Sequence, residues 1–327
     1  MKTLKDIALL LGPELGDVRE YIRKALNDHA ENKTLEKILS ESMEAPGKMV
    51  RPVVLFLAAG EYDKERRDEL IASAAAAEIM HTATLILDDF IDRSDMRRGR
   101  KTVYAEYGDN VAVLAGDYLL IRAFSYLFEK GYTYEAGVIM SVCHKACDGE
   151  MFQHDNLRNT SVGIEDYLTA IRGKTALFFR GMCQMACHIT DKDERTSALY
   201  EEFGETLGMM FQIRDDLLDW QGRTEDIGKP AHEDFSEGIY TMPAIYTFST
   251  AGYGEKLKDI ACKESLSDED IKEAVRLVKD SGGIARTEEY IEGLRKKADD
   301  LISALPPDRY TEALKKMVEY CSKPVAG

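Results

Sequence analysis

Proline is missing from a long central part of this 327-residue chain, because none of its eight prolines lies between Pro52 and Pro230. Proline interrupts helices, so a gap of this length in a sequence rich in Ala, Leu, Glu, Lys and Met predicts consecutive helices. Strand-like alternation of apolar and polar residues is scarce, and no Asn-Gly or Asp-Gly hairpin turn lies between two such runs. These absences argue against a sheet-based fold and favour an all-α protein.

Positive charge is also in short supply. The chain has 43 Lys and Arg against 59 Asp and Glu, which gives a formal net charge of −16. Proteins that bind nucleic acid carry basic surfaces, so this balance argues against nucleic acid as a partner. It argues equally against adhesion to anionic membranes through bulk charge.

Cysteine is sparse, with six residues, too few for a disulfide scaffold in a chain of this length. Two pairs have the helical spacing i, i+4, namely Cys143 with Cys147 and Cys183 with Cys187. A four-cysteine metal site is conceivable, but the spacing is not that of a zinc ribbon. Buried reduced thiols, which behave as small hydrophobic groups, are the favoured interpretation.

Long apolar runs, repeats and low-complexity linkers are absent as well. No apolar run approaches the roughly 20 residues that a membrane span needs. The first residues, MKTLKDIALLLG, are too polar for a secretion signal. We therefore expect a cytoplasmic protein without stable membrane insertion, folded as one domain over residues 1–327.

Helical spacing and capping support this class. Val18, Ile22 and Leu26 would share one helix face, and Ser267 with Asp270 forms a capping box before an apolar segment. The segment that follows Pro306 and Pro307 predicts a C-terminal helix that docks by its apolar face.

Two clusters of aspartates share the spacing i, i+1, i+4. They are Asp88, Asp89 and Asp92 in the first cluster and Asp215, Asp216 and Asp219 in the second. Residues i and i+4 lie on one face of a helix, so the outer carboxylates of each cluster would point the same way. A solvated acidic face could explain one cluster. Two identical clusters after apolar stretches instead favour a site for hard divalent cations such as Mg²⁺, and the lack of accompanying His or Cys argues against zinc.

Several basic residues accompany the two clusters. Arg97 and Arg98 follow the first cluster and Lys229 follows the second, while Lys48 and Arg51 stand in GKMVRP and Lys174 stands in RGKT. Six carboxylates would be neutralised by about three divalent cations, so a diphosphate at the site would need further positive charge. Surface solubility explains any one of these residues alone, but their joint placement favours diphosphate binding.

These motifs, in this order, resemble those of trans-type polyprenyl diphosphate synthases. The matching segments are GKMVRP at 47–52, HTATLILDDFID at 81–92, DMRRG at 95–99, AVLAGDYLL at 112–120, GKTA at 173–176, FQIRDDLLD at 211–219, and GKP with TMP between 228 and 243. The resemblance implies an all-α helical bundle around a deep central cavity. It also implies successive 1′-4 condensation of isopentenyl diphosphate with an allylic diphosphate, and a homodimer.

The resemblance further implies a role for each motif residue. The leading ligands of about three Mg²⁺ would be Asp88, Asp92 and Asp215, with Asp219, Asp89 and Asp216 in support. The allylic diphosphate would be assisted by Arg97, Lys174 and Lys229. The diphosphate of isopentenyl diphosphate would be held by Lys48, Arg51, His81 and Arg98. Thr175 and Gln212 would direct oxygen dipoles at the allylic cation, and Phe211 would pack on the isopentenyl group.

The sequence departs from the family pattern at four positions. Leu87 stands where a histidine often precedes the first cluster, and Ile239 stands where a basic residue is common. Glu150 and Gln153 replace the Gln and Asp of a Gly-Gln-x-x-Asp element. Gln153 cannot supply the negative charge of the family's metal ligand, and Ile239 cannot supply the charge of a phosphate contact.

Small residues beside the first cluster bear on product length. By the resemblance, Ala83 and Thr84 would form an open floor for the growing chain, with Met80 one turn deeper. This predicts a product of at least twenty carbons, with thirty or more favoured. The alternatives are a farnesyl or geranylgeranyl diphosphate synthase, a class I terpene synthase or a non-catalytic partner subunit.

Overall fold

The computed structural model describes residue 7 and residues 10–27, 32–44, 49–97, 99–222 and 232–322. Helices make up most of this described part, which confirms the predicted all-α class. In chain order they are α1 (Gly12–Asn27), α2 (Lys33–Glu44), α3 (Val50–Ala59), α4 (Arg67–Ile91), α5 (Val103–Tyr107), α6 (Asp109–Glu129), α7 (Thr133–Asp155), α8 (Ile164–Ile171), α9 (Leu177–Ile189), α10 (Glu194–Trp220), α11 (Glu233–Glu237), α12 (Met242–Phe248), α13 (Gly254–Ala261), α14 (Asp268–Asp280), α15 (Gly283–Ser303) and α16 (Arg309–Ser322).

Short irregular elements join some of these helices. A 3₁₀ turn, Lys64–Arg66, precedes α4, and a π-helical segment, Arg172–Ala176, joins α8 to α9. The strands of the described residues are β1 (Met96–Arg97) and β2 (Arg100–Lys101), which pair antiparallel with Arg97 opposite Arg100.

The chain divides into two compact units. The first contains residues 1–144, 179–204 and 301–317, and the second contains residues 145–178, 205–300 and 318–327. The prediction of a single domain over residues 1–327 stays a prediction.

In the first unit, α4 and α6 pack closely. The alanine-rich start of α4 is buried, and Gly116 of α6 lies so close to α4 that an added Cβ would be 2.6 Å from Leu87. The buried Arg122 of α6 reaches α1, because its guanidinium donates to the carbonyl of Ala25. A small residue therefore permits the close helix pair that carries the first aspartate cluster.

In the second unit, aromatic side chains surround the end of α10. Trp220 packs edge-on against Phe235 and donates its indole N–H to Thr241 over 2.9 Å. Phe235 contacts Tyr240, which contacts Phe248. This buried cluster fixes the C-terminal end of the helix that carries the second aspartate cluster.

Local predictions from helical spacing and capping are confirmed. Val18, Ile22 and Leu26 are buried on α1. Ser267 accepts from the backbone of Asp270 and starts α14. In the C-terminal helix α16, the apolar side chains Leu314, Met317 and Val318 are buried.

The prediction that the paired cysteines are buried thiols is confirmed only in part. Cys183 and Cys187 are buried and free, and Cys143 is half-buried. Cys147 is exposed, so burial was wrong for this residue, which lies on a solvent-facing side of α7.

Two helical segments are apolar enough to cross a membrane by length and composition alone, Lys64–Ile91 and Asp109–Glu129. The expectation that no segment reaches this length was wrong, because it counted unbroken apolar runs and a span tolerates isolated charged residues. The most apolar windows of the two segments are 72% and 39% buried, respectively. A buried core helix meets the same criterion, so these segments are weak evidence for membrane crossing.

Candidate functional site

The first aspartate cluster lies at the C-terminal end of α4. Asp88 is half-buried, and Asp92, the C-cap of the helix, is exposed. Asp89 is only 5% exposed, and its Oδ1 accepts from Nε of Arg97 over 2.6 Å. The helix thus separates the middle carboxylate from the outer two, as the i, i+4 spacing predicts.

Asp89 is held by the hairpin that follows α4. Burial raises the pKa of Asp89, and the Arg97 guanidinium opposes this shift. Arg97 lies on β1, and 37% of the Arg97 side chain remains exposed. One face of the guanidinium therefore meets Asp89 while the rest of the group keeps access to solvent.

A close approach of two backbones places the GKTA motif. An added Cβ at Gly149 of α7 would lie 2.6 Å from the backbone nitrogen of Lys174, and one at Gly173 would lie 2.8 Å from the carbonyl oxygen of Lys145. Only glycine fits at both positions, so α7 and the π-helical segment touch through their main chains. Single π-helical turns of this kind are frequent at functional sites.

Lys174 leaves this π-helical segment and forms an ion pair with Glu150. Its Nζ lies 2.6 Å from Oε2 of Glu150, and Gln153, one turn further along α7, donates to Oε1 of Glu150 over 3.5 Å. Glu150, the departure from the family pattern, therefore supplies a carboxylate beside the lysine predicted to contact diphosphate.

The second aspartate cluster on α10 is part of a chain of hydrogen bonds. The hydroxyl of Thr175 donates to Oε1 of Gln212 over 2.8 Å, and Nε2 of Gln212 donates to Oδ1 of Asp216 over 2.8 Å. The hydroxyl of Tyr167 donates to Oδ2 of Asp216 over 2.5 Å. Both oxygens of the middle aspartate are therefore occupied by donors of the protein itself.

Burial dominates the electrostatics of this chain. It raises the pKa of Asp216 to about 7, with a further increase from the nearby charge of Asp234 and opposition from the bonds to Tyr167 and Gln212. Burial, together with the charge of Asp216, also raises the pKa of Tyr167 far above its usual value, so Tyr167 stays a neutral donor.

The outer aspartates of the second cluster differ in exposure. The side chain of Asp215 is 40% exposed, and its Oδ1 lies 3.7 Å from the guanidinium of Arg214. That buried guanidinium stacks on the ring of Tyr320, from α16, at 5.0 Å. Asp219 is 2% exposed, and its Oδ1 accepts from the backbone N–H of His232.

The remaining predicted site residues are distributed as follows. Lys48, Arg98 and Lys229 lie outside the described residues. Arg51 stands over the ring of Phe179 at 5.7 Å, while His81 and Phe211 are half-buried. Of the residues predicted to control product length, Met80 and Ala83 are fully buried, and Thr84 is half-buried with its hydroxyl donating to the carbonyl of His81.

The structure brings together Thr175, Gln212 and Asp216 in the second unit, and Asp89 with Arg97 in the first. No group of three or more His, Cys, Asp or Glu side chains within the described ranges is arranged to hold a metal ion. The donor chemistry still suits a hard cation, because each cluster offers carboxylate oxygens on one helix face without thiol or imidazole ligands.

Two contacts at this site were not predicted from the sequence. Tyr167 lies 49 residues before Asp216, and Glu150 lies 24 residues before Lys174, so neither contact leaves a local spacing signal. The glycines at 149 and 173 were the one visible hint that two helices approach closely there.

The similarity of this chain to known proteins is not limited to these motifs. A family model described as polyprenyl synthetase matches residues 32–278. Heptaprenyl diphosphate synthase component 2 of Geobacillus stearothermophilus is 30% identical over 322 residues, which cover 98% of both chains. The likeness to this relative therefore covers nearly the whole chain.

Solved structures agree with this likeness. A decaprenyl diphosphate synthase from Rhodobacter capsulatus superposes with a TM-score of 0.87 at 28% identity and covers 98% of both chains. A polyprenyl synthase from Caulobacter crescentus, complexed with calcium and isoprenyl diphosphate, has a TM-score of 0.89 at 26% identity and covers 99% of this chain and 98% of its own. The helices described above therefore follow the same course as those of both structures.

Proposed function

Because the chain belongs to the polyprenyl synthetase family, as its motifs predicted, we propose that it catalyses successive 1′-4 condensation of isopentenyl diphosphate with an allylic diphosphate. The repeated arrangement of the aspartates carries this proposal. In both clusters the middle carboxyl group is buried and accepts hydrogen bonds from other side chains, while the first carboxyl group keeps access to solvent. A charged ligand in solvent can therefore reach the first carboxylate of each cluster.

We propose Asp88, Asp92, Asp215 and Asp219 as the residues that hold Mg²⁺, about three ions per site. Bound Mg²⁺ would supply the charge that holds the allylic diphosphate and stabilises it as a leaving group. The carboxylate donor set supports a hard cation, and so does the relative that contains calcium and an isoprenyl diphosphate.

The basic residues would complete diphosphate binding. Arg97 and Lys174 would contact the allylic diphosphate together with Lys229, and each of the first two is already oriented by a carboxylate, Asp89 or Glu150. Lys48, Arg51, His81 and Arg98 would bind the diphosphate of isopentenyl diphosphate. Prior orientation reduces the side-chain entropy that is lost when the substrate binds.

Thr175 and Gln212 would stabilise the allylic cation through their oxygen dipoles, while Phe211 would pack on the isopentenyl group. The bond between Thr175 and Gln212 fixes the side-chain amide and hydroxyl before reaction. Dipoles that need no reorganisation stabilise developing charge most effectively. Asp89 and Asp216 would act indirectly, because both are occupied by donors of the protein.

The product would be a long all-trans polyprenyl diphosphate of at least twenty carbons, with thirty or more favoured. Ala83 and Thr84 support this length because neither blocks the face of α4 with a large side chain. The relatives named for heptaprenyl and decaprenyl products support it as well. Met80 would form the next floor, one helical turn deeper.

A homodimer is part of the same proposal. Large apolar side chains are exposed on α6 at a spacing of seven residues, at Leu114, Ile121 and Phe128, and Met140 of α7 is exposed too. A stripe of this kind suits association with a second copy. One relative is named component 2 of a heptaprenyl diphosphate synthase, so assembly with a different subunit is the alternative to a homodimer. The cytoplasmic location stays a prediction that cell fractionation would test.

Substitution of single aspartates tests the proposed function. With Mg²⁺, isopentenyl diphosphate and farnesyl diphosphate, the wild-type protein should elongate the primer, and a chelator should abolish elongation. Asp88→Asn and Asp215→Asn should each lower kcat by at least about 100-fold, because each loses a charged ligand worth several kcal/mol. Asp259→Asn, a substitution of an exposed aspartate in the second unit, should keep wild-type kcat.

Two results would contradict this proposal. Conversion of the primer to a hydrocarbon without elongation would indicate a class I terpene synthase. If the folded protein does not convert the primer even when Mg²⁺ is present and no chelator is added, the chain would be a non-catalytic subunit.

A further inference from the structure

Tyr167 of α8 is a buried tyrosine that the proposed function does not use. Only 6% of its surface is exposed, and its hydroxyl donates to Oδ2 of Asp216 over 2.5 Å. Both partners of this short bond are buried, and a buried polar group that loses its partner incurs the full cost of desolvation. Tyr167 therefore restrains the orientation of the Asp216 carboxylate.

The restrained carboxylate in turn orients Gln212. The side-chain NH₂ group of Gln212 faces Asp216 and donates to its Oδ1 over 2.8 Å. The amide oxygen of Gln212 then points away from Asp216, where it accepts the hydroxyl of Thr175. One chain of bonds thus runs from Tyr167 to the two oxygens proposed to face the allylic cation.

We propose that Tyr167 is a positioning residue that, through Asp216, holds the amide of Gln212 with its oxygen directed toward the reacting allylic carbon. This inference rests on the proposed function. Loss of the Tyr167 hydroxyl frees the Asp216 carboxylate to rotate, and the Gln212 amide follows it. The dipole then has to reorganise during the reaction, which lowers the rate of the chemical step.

The chain of bonds predicts a specific kinetic signature. Among the described residues proposed to bind diphosphate, none contacts Tyr167, so Tyr167→Phe should leave the KM for isopentenyl diphosphate within about twofold. Its kcat should fall at least about tenfold, because small displacements of positioned groups cost large factors in rate. A merely structural tyrosine would lower the thermal midpoint of the protein and leave kcat per folded molecule unchanged.

Tyr240→Phe is the matched control. Tyr240 is also a buried tyrosine of the second unit, also 6% exposed, and its hydroxyl donates to the carbonyl of Ala261 over 3.2 Å. Tyr240→Phe therefore also removes one hydrogen bond of a buried tyrosine hydroxyl, but it leaves the partners of Asp216 unchanged. Its kcat should equal that of the wild type.

A double-mutant cycle with Gln212→Leu tests the route of the effect. If Tyr167 acts through Gln212, then Tyr167→Phe should lower kcat in the wild type and have no further effect in the Gln212→Leu background. An equal fall in both backgrounds would overturn the proposal. If Tyr167→Phe does not fold, Asp216→Asn replaces it, and an unchanged kcat in that variant would overturn the proposal.

The outcome for the wild type separates this inference from the proposed function. Elongation by the wild type together with an unchanged kcat in Tyr167→Phe would overturn the positioning role alone. A folded wild type that does not elongate would overturn both. Elongation by the wild type, a lower kcat in Tyr167→Phe and non-additivity with Gln212→Leu would support both.

Discussion

At the scale of single residues, the two aspartate clusters separate their members by role. Asp89 and Asp216 are buried and bonded to Arg97 and to Tyr167 with Gln212, respectively. A buried carboxylate is stable only when it is hydrogen-bonded, so these two side chains cannot leave their partners without cost. The middle aspartate of each cluster is therefore held in place by the protein, whereas Asp88, Asp92 and Asp215 keep access to solvent.

His232, next to the second cluster, makes stability dependent on pH. Burial lowers the pKa of His232 below its usual 6.5, so the folded protein favours the neutral ring. As the pH falls below about 6.5, the unfolded chain takes up a proton before the folded one does. The free energy of unfolding should therefore fall between pH 7 and the lowered pKa, as measured by urea denaturation.

His232→Gln should remove this part of the pH dependence, because glutamine does not titrate. His154→Gln, at an exposed position of α7, is the control and should keep the wild-type slope of stability against pH. A wild-type slope in His232→Gln would show that burial of this imidazole does not cause the effect.

The spacing of the aspartates was predictable at this scale, but the partners of Asp216 were not. Helical geometry alone aligns Asp88 with Asp92, because they are one turn apart. The contact between Tyr167 and Asp216 joins residues 49 positions apart, and only tertiary packing brings them together. For the same reason the ion pair of Glu150 and Lys174 could not be derived from the substitution of Gln by Glu.

At the scale of elements, the π-helical segment Arg172–Ala176 sets where Lys174 and Thr175 lie. Its close contact with α7 depends on Gly149 and Gly173, which have no Cβ to separate the two backbones. The sequence motif GKTA indicated function but not this geometry, because π-helical turns follow from packing and not from local propensity. Element boundaries elsewhere, such as the capped start of α14, follow from local residues and were predicted.

Gly149→Ala should disrupt this contact. The added Cβ would lie 2.6 Å from the backbone nitrogen of Lys174, so the segment has to move. We expect a loss of about 1–3 kcal/mol in the free energy of unfolding, from overpacking, and a lower kcat. Gly137→Ala on the same helix, where the Cβ meets nothing within 4 Å, should instead gain about 0.5–1 kcal/mol. Equal effects of the two substitutions would contradict the role of close packing.

Helix α4 should set the length of the product. Ala83→Phe places a large side chain one to two turns before Asp88, so we expect chromatography of the dephosphorylated alcohols to show shorter products. Met80→Ala replaces a large side chain by a small one, one turn deeper on the same helix, so this substitution should not shorten the products. An unchanged distribution from folded Ala83→Phe would remove Ala83 from the proposed floor.

At the scale of the whole molecule, the likeness to known structures covers nearly the entire chain, so the fold was predictable from motifs that occupy a small part of it. What the motifs could not predict is the surface. No motif predicted the row of exposed apolar side chains on α6, Leu114, Ile121 and Phe128, which suits an interface with another chain.

Ile121→Glu should disrupt the proposed homodimer, because a charge would be buried at the centre of an apolar contact. We expect light scattering after size-exclusion chromatography to give a dimer for the wild type and a monomer for the variant. Leu157→Glu, at an exposed apolar position of the second unit, should remain a dimer. A monomeric wild type would contradict the homodimer, and a complex formed only with another subunit would replace it.

Product analysis of the wild type tests the central claim most directly. The protein would be incubated with Mg²⁺, isopentenyl diphosphate and either geranyl or farnesyl diphosphate, and the dephosphorylated alcohols would be separated by size. We predict a ladder of all-trans alcohols, each one isoprene unit longer than the last, that ends at thirty carbons or more. A primer recovered without any added isoprene unit would contradict the account.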